Sequence, residues 1–218
     1  MDDTTWQLIA NERRTMADLL EGLTPDQWEV TSLCSEWRVR DVAAHLAMTP
    51  TGAPPVATML RALVTTRGRL WPAVRDVAVA YAAARPEDLV AGLRRDAASR
   101  RKSVFVQAEN ILPDLVIHGQ DIAVPLGIDR AVPPAAGRVA LSRIWSLGWP
   151  FHARRRFAGV TVRAEDCDWS AGQGPEVRGS TAQLLAEMTG RSVGGDLHGP
   201  GAEAVRRRTA PAPTVSAT

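Results

Sequence analysis

Two stretches hold the residue types that could do chemistry: Cys34-Ser35-Glu36-Trp37-Arg38-Val39-Arg40-Asp41-Val42-Ala43-Ala44-His45 and Asp114-Leu115-Val116-Ile117-His118-Gly119-Gln120-Asp121. In the second, Asp114 and His118 are four apart and Asp121 follows three later, a spacing that places all three on one face of an α-helix. His45 stands among Val42, Ala43, Ala44, Leu46 and Ala47, and His118 beside Leu115, Val116, Ile117 and Ile122. Ionisable side chains among such neighbours are costly unless paired or bound to an ion. Taken singly, a helical Asp-x-x-x-His pair is most often a surface contact, and a lone buried histidine is most often a hydrogen-bonded core residue. Two histidines on apolar helices, with an acid one turn from the second, point instead to an open three-ligand metal site of His45, Asp114 and His118. Imidazole and carboxylate donors suit a borderline divalent ion, first of all Zn²⁺, with Ni²⁺, Fe²⁺ and Mn²⁺ open. Such an ion would act as a Lewis acid and hold a bound thiol as thiolate. Asp121 is read as an outer partner that orients His118 or meets the thiol.

The elements that must position these residues are mostly helical. Trp6, Ile9, Arg13, Met16, Leu19, Leu20 and Leu23 follow helical spacing up to Gly22. Thr24-Pro25-Asp26-Gln27 is a capping box with proline at the first helical position. Ser35 or Trp37 starts the His45 helix, and Pro50 to Pro55 breaks it. Further helices are predicted over 56–66, 73–84, from about Arg85 to Ser103, from Pro113 through Asp121, and over 134–147. After Pro150 the pattern changes. Val160, Val162 and Ala164 alternate as in a strand, 168–174 is turn-rich, and Glu176–Arg178 reads as a short strand. Ser180 caps a helix over 181–189 closed by Gly190, and Leu197 begins an edge strand. The expected division is a helical bundle over 1–150, a small α+β domain over 151–205, and a disordered tail over 206–218.

Composition narrows the function classes. The chain has 218 residues, 45% hydrophobic and 23% charged, enough for a real core. Its net charge is +2, and acids interleave with arginines almost everywhere. The Arg154–Arg156 and Arg206–Arg208 runs are short, so no basic stripe marks a nucleic-acid binder. The longest uncharged stretch, Val42 to Leu60, contains four helix-disrupting residues (Pro50, Gly52, Pro54, Pro55) and cannot span a membrane. Cys34 and Cys167 make no disulfide framework, and the start is acidic, which reads as a reducing cytoplasm. Oligomeric state, monomer or homodimer, is left open.

Other residues read as structural. Cys34 is a small core or loop residue, and Trp28 and Trp37 are packing anchors. His152 and His198 lie in polar, loop-like settings. Arg191 closes a helix, where it can complement the dipole; in a two-domain cleft it could hold a substrate carboxylate, as could Arg38 or Arg101.

The Trp-containing first helix, the Leu33-Cys34-Ser35-Glu36-Trp37-x-Val39-x-Asp41-Val42-x-x-His45-Leu46 block, Asp114-x-x-x-His118-Gly119-x-Asp121-Ile122 with Pro125-Leu126-Gly127, and Leu184-Leu185 to Gly190-Arg191 occur in the order of a known family. Together they resemble the mycothiol-dependent maleylpyruvate isomerase family, within the DinB-like metal-dependent thiol transferases. The resemblance runs to about Val205. It implies a mainly α protein, a DinB-like up-down four-helix bundle followed by a small α+β domain. It also implies a divalent metal, usually zinc, on His45, Asp114 and His118, with mycothiol bound as thiolate. In isomerase members the thiolate adds to an unsaturated substrate, a bond rotates, and the thiol leaves; related members transfer the thiol to electrophiles. The family carries glutamate where this chain has Asp114, one methylene shorter, while metal–oxygen distances hold to about ±0.2 Å. The alternative to an enzyme is therefore a non-catalytic small-ligand or partner-binding protein with a degenerate metal site.

Overall fold

The structure, a computed structural model, describes residues 1–34, 36–51, 54–83, 86–102, 104, 106–191 and 197–209. Ser35, Arg85 and Ser103, named above as helix limits, and the tail from 210 onward lie outside the described residues. Packing divides the chain into two units, Met1–Ala136 and Gly137–Thr218. The change in sequence character at Pro150 thus falls inside the second unit.

In the first unit, α1 (Asp3–Glu21) starts where the Asp2 carboxylate accepts the Thr5 N–H at 2.8 Å, and it buries Ile9, Met16 and Leu20. Helix α2 (Pro25–Trp28) opens on the Thr24–Gln27 capping box. Helix α3 (Val39–Met48) begins after both readings of its start. Asp41 accepts the Arg38 N–H at 2.9 Å and its Nε at 3.0 Å, and Glu29 accepts from Arg38 and Arg40 at 2.7 Å each. Arg38 is thereby engaged in fixing the helix start. Helices α4 (Val56–Thr65) and α5 (Leu70–Tyr81) follow, α5 opening three residues before Ala73 because Pro72 is tolerated in a first turn. Helix α6 (Pro86–Arg95) stops well short of Ser103. The physical reason is Arg13, whose buried guanidinium donates to the carbonyls of Ala97 and Ser99 at 3.0 and 2.7 Å and turns that segment away from helix. A 3₁₀ turn, Ala108–Asn110, leads into α7 (Ile111–Ala123).

Helix α1 packs on α6 and α7, and α3 packs on the same two, so α1, α7, α3 and α6 close a four-helix ring. The α4–α5 hairpin joins it through α5 on α3. Every residue of α7 is buried except Asp114. An all-round apolar helix of this kind belongs in a core, and its one opening faces the site described below.

The second unit takes most of α8 (Pro134–Ser146), then α9 (Ala153–Arg156), β1 (Thr161–Ala164), β2 (Ser170–Gly172), β3 (Glu176–Gly179), α10 (Thr181–Thr189) and α11 (Ala202–Thr209). The sheet order is β2-β1-β3, with β2 antiparallel and β3 parallel to β1. Strand β2 lies in the segment read as turns. Gly172 ends it at φ 89°, where a Cβ would sit 2.3 Å from the Val160 carbonyl oxygen, so only glycine allows the strand to close up. Half-buried Trp145 meets Phe157 at a tilt and Trp169 edge-on, and the Trp169 indole donates to Ser142 Oγ at 3.1 Å. The Ser180–Gln183 capping box opens α10 and Gly190 closes it in the left-handed region. Leu197 does not begin a strand; its neighbour His198 makes one isolated bridge to Arg178. Arg206–Arg208 are helical rather than tail, because Ala202 and Val205 are buried and anchor α11. The fold is mainly helical, a four-helix bundle with a small α+β region. Among the described residues no helix is long and apolar enough to cross a membrane.

Candidate metal centre

Helix α3 supplies His45, and α7 supplies Asp114, His118 and Asp121 from one face, as their spacing requires. The α3–α7 contact brings them together. His45 Nε2 lies 3.1 Å from Asp114 Oδ2, and His118 Nε2 lies 3.4 Å from Asp114 Oδ1. All three donor atoms fall within 4.8 Å of one another. A tetrahedral ion with bonds of about 2.0–2.1 Å holds its donors about 3.3 Å apart, so these separations fit one such ion. The shorter aspartate reaches both rings because each of its oxygens faces a different imidazole.

The other nitrogen of His118 is also engaged. His118 Nδ1 lies 2.8 Å from Asp121 Oδ2, and the Asp121 side chain is fully buried. A carboxylate that accepts Nδ1–H leaves Nε2 as the nitrogen that can give up its proton and ligate an ion beside Asp114 and His45, the arrangement typical of metal-bound histidines. Solvent access is graded: the Asp114 side chain keeps 38% of its surface exposed, His45 19% and His118 10%. The carboxylate is therefore the group that an incoming ligand meets first.

The electrostatics of the ion-free cluster follow from this geometry. Burial pushes the Asp114 carboxyl up, but attraction to His45 and then His118, with hydrogen bonds from both rings, holds it well below the usual carboxylate range. Burial pulls the His118 imidazole down; the Asp114 charge, and hydrogen bonds to Asp114 and Asp121, more than reverse this and push it up to about 9.

Trp37, 7% exposed, forms one wall of the site. Its ring centroid lies 5.2 Å from that of His45 and 5.9 Å from that of His118, while the two imidazoles are 5.1 Å apart and edge-on. The packing role expected of Trp37 is thus exerted on the two candidate ligands. Nothing local in the sequence signals this, since Trp37 precedes its helix. Cys34 is half-buried and lies close to His118 and Asp121. Arg191, His152 and His198 belong to the second unit. Arg191 follows α10 in the second unit, its N–H donating to the Ala186 carbonyl at 2.9 Å. His198 pairs with Glu165 at 3.0 Å on an exposed surface, and His152 is exposed.

If Asp121 sets the orientation of His118, Asp121→Ala leaves the three donors in place but lowers metal affinity by about 10–100-fold. Competition with a chromophoric chelator measures this, and an unchanged affinity contradicts the role.

Comparison with known proteins adds the following. Residues 9–105 match the family model described as the mycothiol maleylpyruvate isomerase N-terminal domain. The match includes His45 and ends before α7. No curated protein matches the chain. Among solved structures, that of the mycothiol-dependent maleylpyruvate isomerase is 17% identical, with a TM-score of 0.48, covering 88% of this chain and 93% of that one. A histidine-to-alanine mutant of the same enzyme is 18% identical, with a TM-score of 0.47 and the same coverage.

Proposed function

We propose, from the match of residues 9–105 to the mycothiol maleylpyruvate isomerase N-terminal domain family, that this protein is a metal-dependent, thiol-using isomerase or S-transferase acting on a small electrophilic substrate. The carrying observation is the cluster itself, two Nε2 atoms converging on one half-exposed carboxylate while Asp121 holds the far nitrogen of His118. His45, Asp114 and His118 would hold the ion, Zn²⁺ being best suited to two imidazoles and a carboxylate in a tetrahedral set. When bound, the ion would supply Lewis acidity, keeping a mycothiol-type thiol deprotonated as a nucleophile at neutral pH. The chain's own contribution is positional. Asp121 keeps His118 in one tautomer, Trp37 fixes the angle between the rings, and the exposed edge of Asp114 leaves a route for thiol and substrate.

One observation favours a second reading, a non-catalytic binding protein. Without an ion the Asp114–His118–Asp121 contacts already satisfy each other as an ion-pair network, so the cluster does not need a metal to be stable.

Metal analysis and thermal shift separate the two. The first reading expects about one divalent ion per chain and a rise in melting temperature with Zn²⁺. At 100 times the dissociation constant the stabilisation is about 2.7 kcal/mol, roughly 5–11 °C for a chain of this size. A low-molecular-weight thiol raises it further. No bound metal under chelator-free purification, and no shift with Zn²⁺ or thiol, overturns it in favour of the second.

A further inference from the structure

We propose that Cys34, His118 and Asp121 form an alternative, thiolate-containing metal position that competes with the His45–Asp114–His118 set for the His118 ring. Sγ of Cys34, a ring nitrogen of His118 and a carboxylate oxygen of Asp121 all lie within 4.8 Å of one another, the same bound met by the first set. The His118 side chain is 10% exposed and that of Asp121 not at all. The cysteine is held in place by its loop. The Leu33 N–H donates to the Asp121 carbonyl at 3.1 Å, the Cys34 N–H to Ser32 Oγ at 3.1 Å, and the Trp37 N–H to the Cys34 carbonyl at 3.1 Å. The loop that carries Cys34 is therefore tied to the same turn of α7 that carries Asp121.

The donor sets differ in kind. Two nitrogens and an oxygen suit a borderline ion, whereas adding a thiolate selects softer ions, Cd²⁺ and Zn²⁺ among the divalent ones. A neutral imidazole has one proton and one lone pair. An ion on Nδ1 takes the place of the Nδ1–H···Asp121 hydrogen bond and sends the proton to Nε2, which then donates toward Asp114. An ion on Nε2 requires the reverse. The two positions are for this reason mutually exclusive at His118. Binding at the cysteine releases the thiol proton to solvent and involves no redox step. The competition rests on the metal site proposed above; the thiolate position stands on its own geometry.

The test titrates Cd²⁺ alone into the full chain, following the ultraviolet thiolate-to-Cd²⁺ charge-transfer absorption together with bound cadmium. Wild type and Cys167→Ser show the band. Cys34→Ser loses it yet still binds about one equivalent through the other set. His45→Ala keeps the band, with equal or greater amplitude. Loading wild type with Zn²⁺ beforehand lowers the band. The proposal is overturned by absence of the band in both wild type and folded His45→Ala protein, by its persistence in Cys34→Ser, or by indifference to zinc. A band in wild type, together with no cadmium or zinc bound by Cys34→Ser, would uphold the cysteine position and sink the histidine–carboxylate one.

Discussion

His118→Ala abolishes metal binding at both positions, while His45→Ala leaves a weaker, cysteine-dependent remainder. The asymmetry follows from the ring's place in both sets: its Nε2 faces Asp114, its Nδ1 faces Asp121, and both candidate donor groups include it while only one includes His45. Loss of an outer partner costs about 10–100-fold in metal affinity, so loss of the ligand itself costs on the order of 10³-fold or more. Bound zinc after gel filtration reads the result directly. Equal retention in the two variants refutes the shared role, and full retention in His118→Ala refutes the site.

The same ring sets the pH dependence. His118 is pushed up to about 9, above an unfolded value of about 6.5. Its contribution to the ion-free fold is therefore complete below pH 6.5 and is lost as pH rises through about 9. Asp114, held low, contributes in the opposite sense, losing its share only on strong acidification. An ion needs the neutral ring, so metal stabilisation grows over the window in which the ion-free fold weakens. The groups facing His118 are His45 from α3, Asp114 and Asp121 from α7, and Cys34 from the preceding loop. The gap in melting temperature with and without Zn²⁺ accordingly widens from pH 6.5 to 9; a narrowing gap contradicts the coupling.

What could be read from the chain was local. The capping box at Thr24, the cap at Ser180, helix breaks at Gly22 and Gly190, and the one-face spacing of Asp114, His118 and Asp121 each depend on residues within a few positions of one another, and all are present. Apolar flanks placed both histidines inside. Their meeting depends on how α3 packs on α7, which no periodicity encodes. Trp37 over the rings and Cys34 beside Asp121 belong to a loop held by long-range backbone hydrogen bonds, so their proximity had no local signature. The early end of α6 has the same origin. Its sequence favours helix, but Arg13 on α1, eighty-odd positions away, takes the carbonyls a longer helix would use. Helix α11 was hidden differently, since two buried residues, Ala202 and Val205, are too few to show an apolar face.

A buried ion pair next to the candidate metal centre carries the largest expected loss of stability. Glu12 on α1 is 2% exposed, and its Oε2 accepts from Arg130 Nη2 at 2.6 Å, with 9% of the Arg130 side chain accessible. The guanidinium lies across Gly119, the residue after His118, where a Cβ would approach Arg130 Nη1 to 2.7 Å. Arg130 Nη1 itself is buried without a hydrogen-bond partner, so Glu12 is its compensating charge. Glu12→Ala leaves that cation buried and unpaired, a cost of about 3–5 kcal/mol, or a fall in melting temperature of roughly 6–20 °C. The double replacement Glu12→Leu with Arg130→Met removes both charges at similar volume and recovers most of the loss, because desolvating the pair offsets much of what its attraction contributes. Denaturant melts of the single and double variants decide it. A single variant within about 1 kcal/mol of wild type would mean that water reaches Arg130 and that the pair does not hold α1 to the segment following α7.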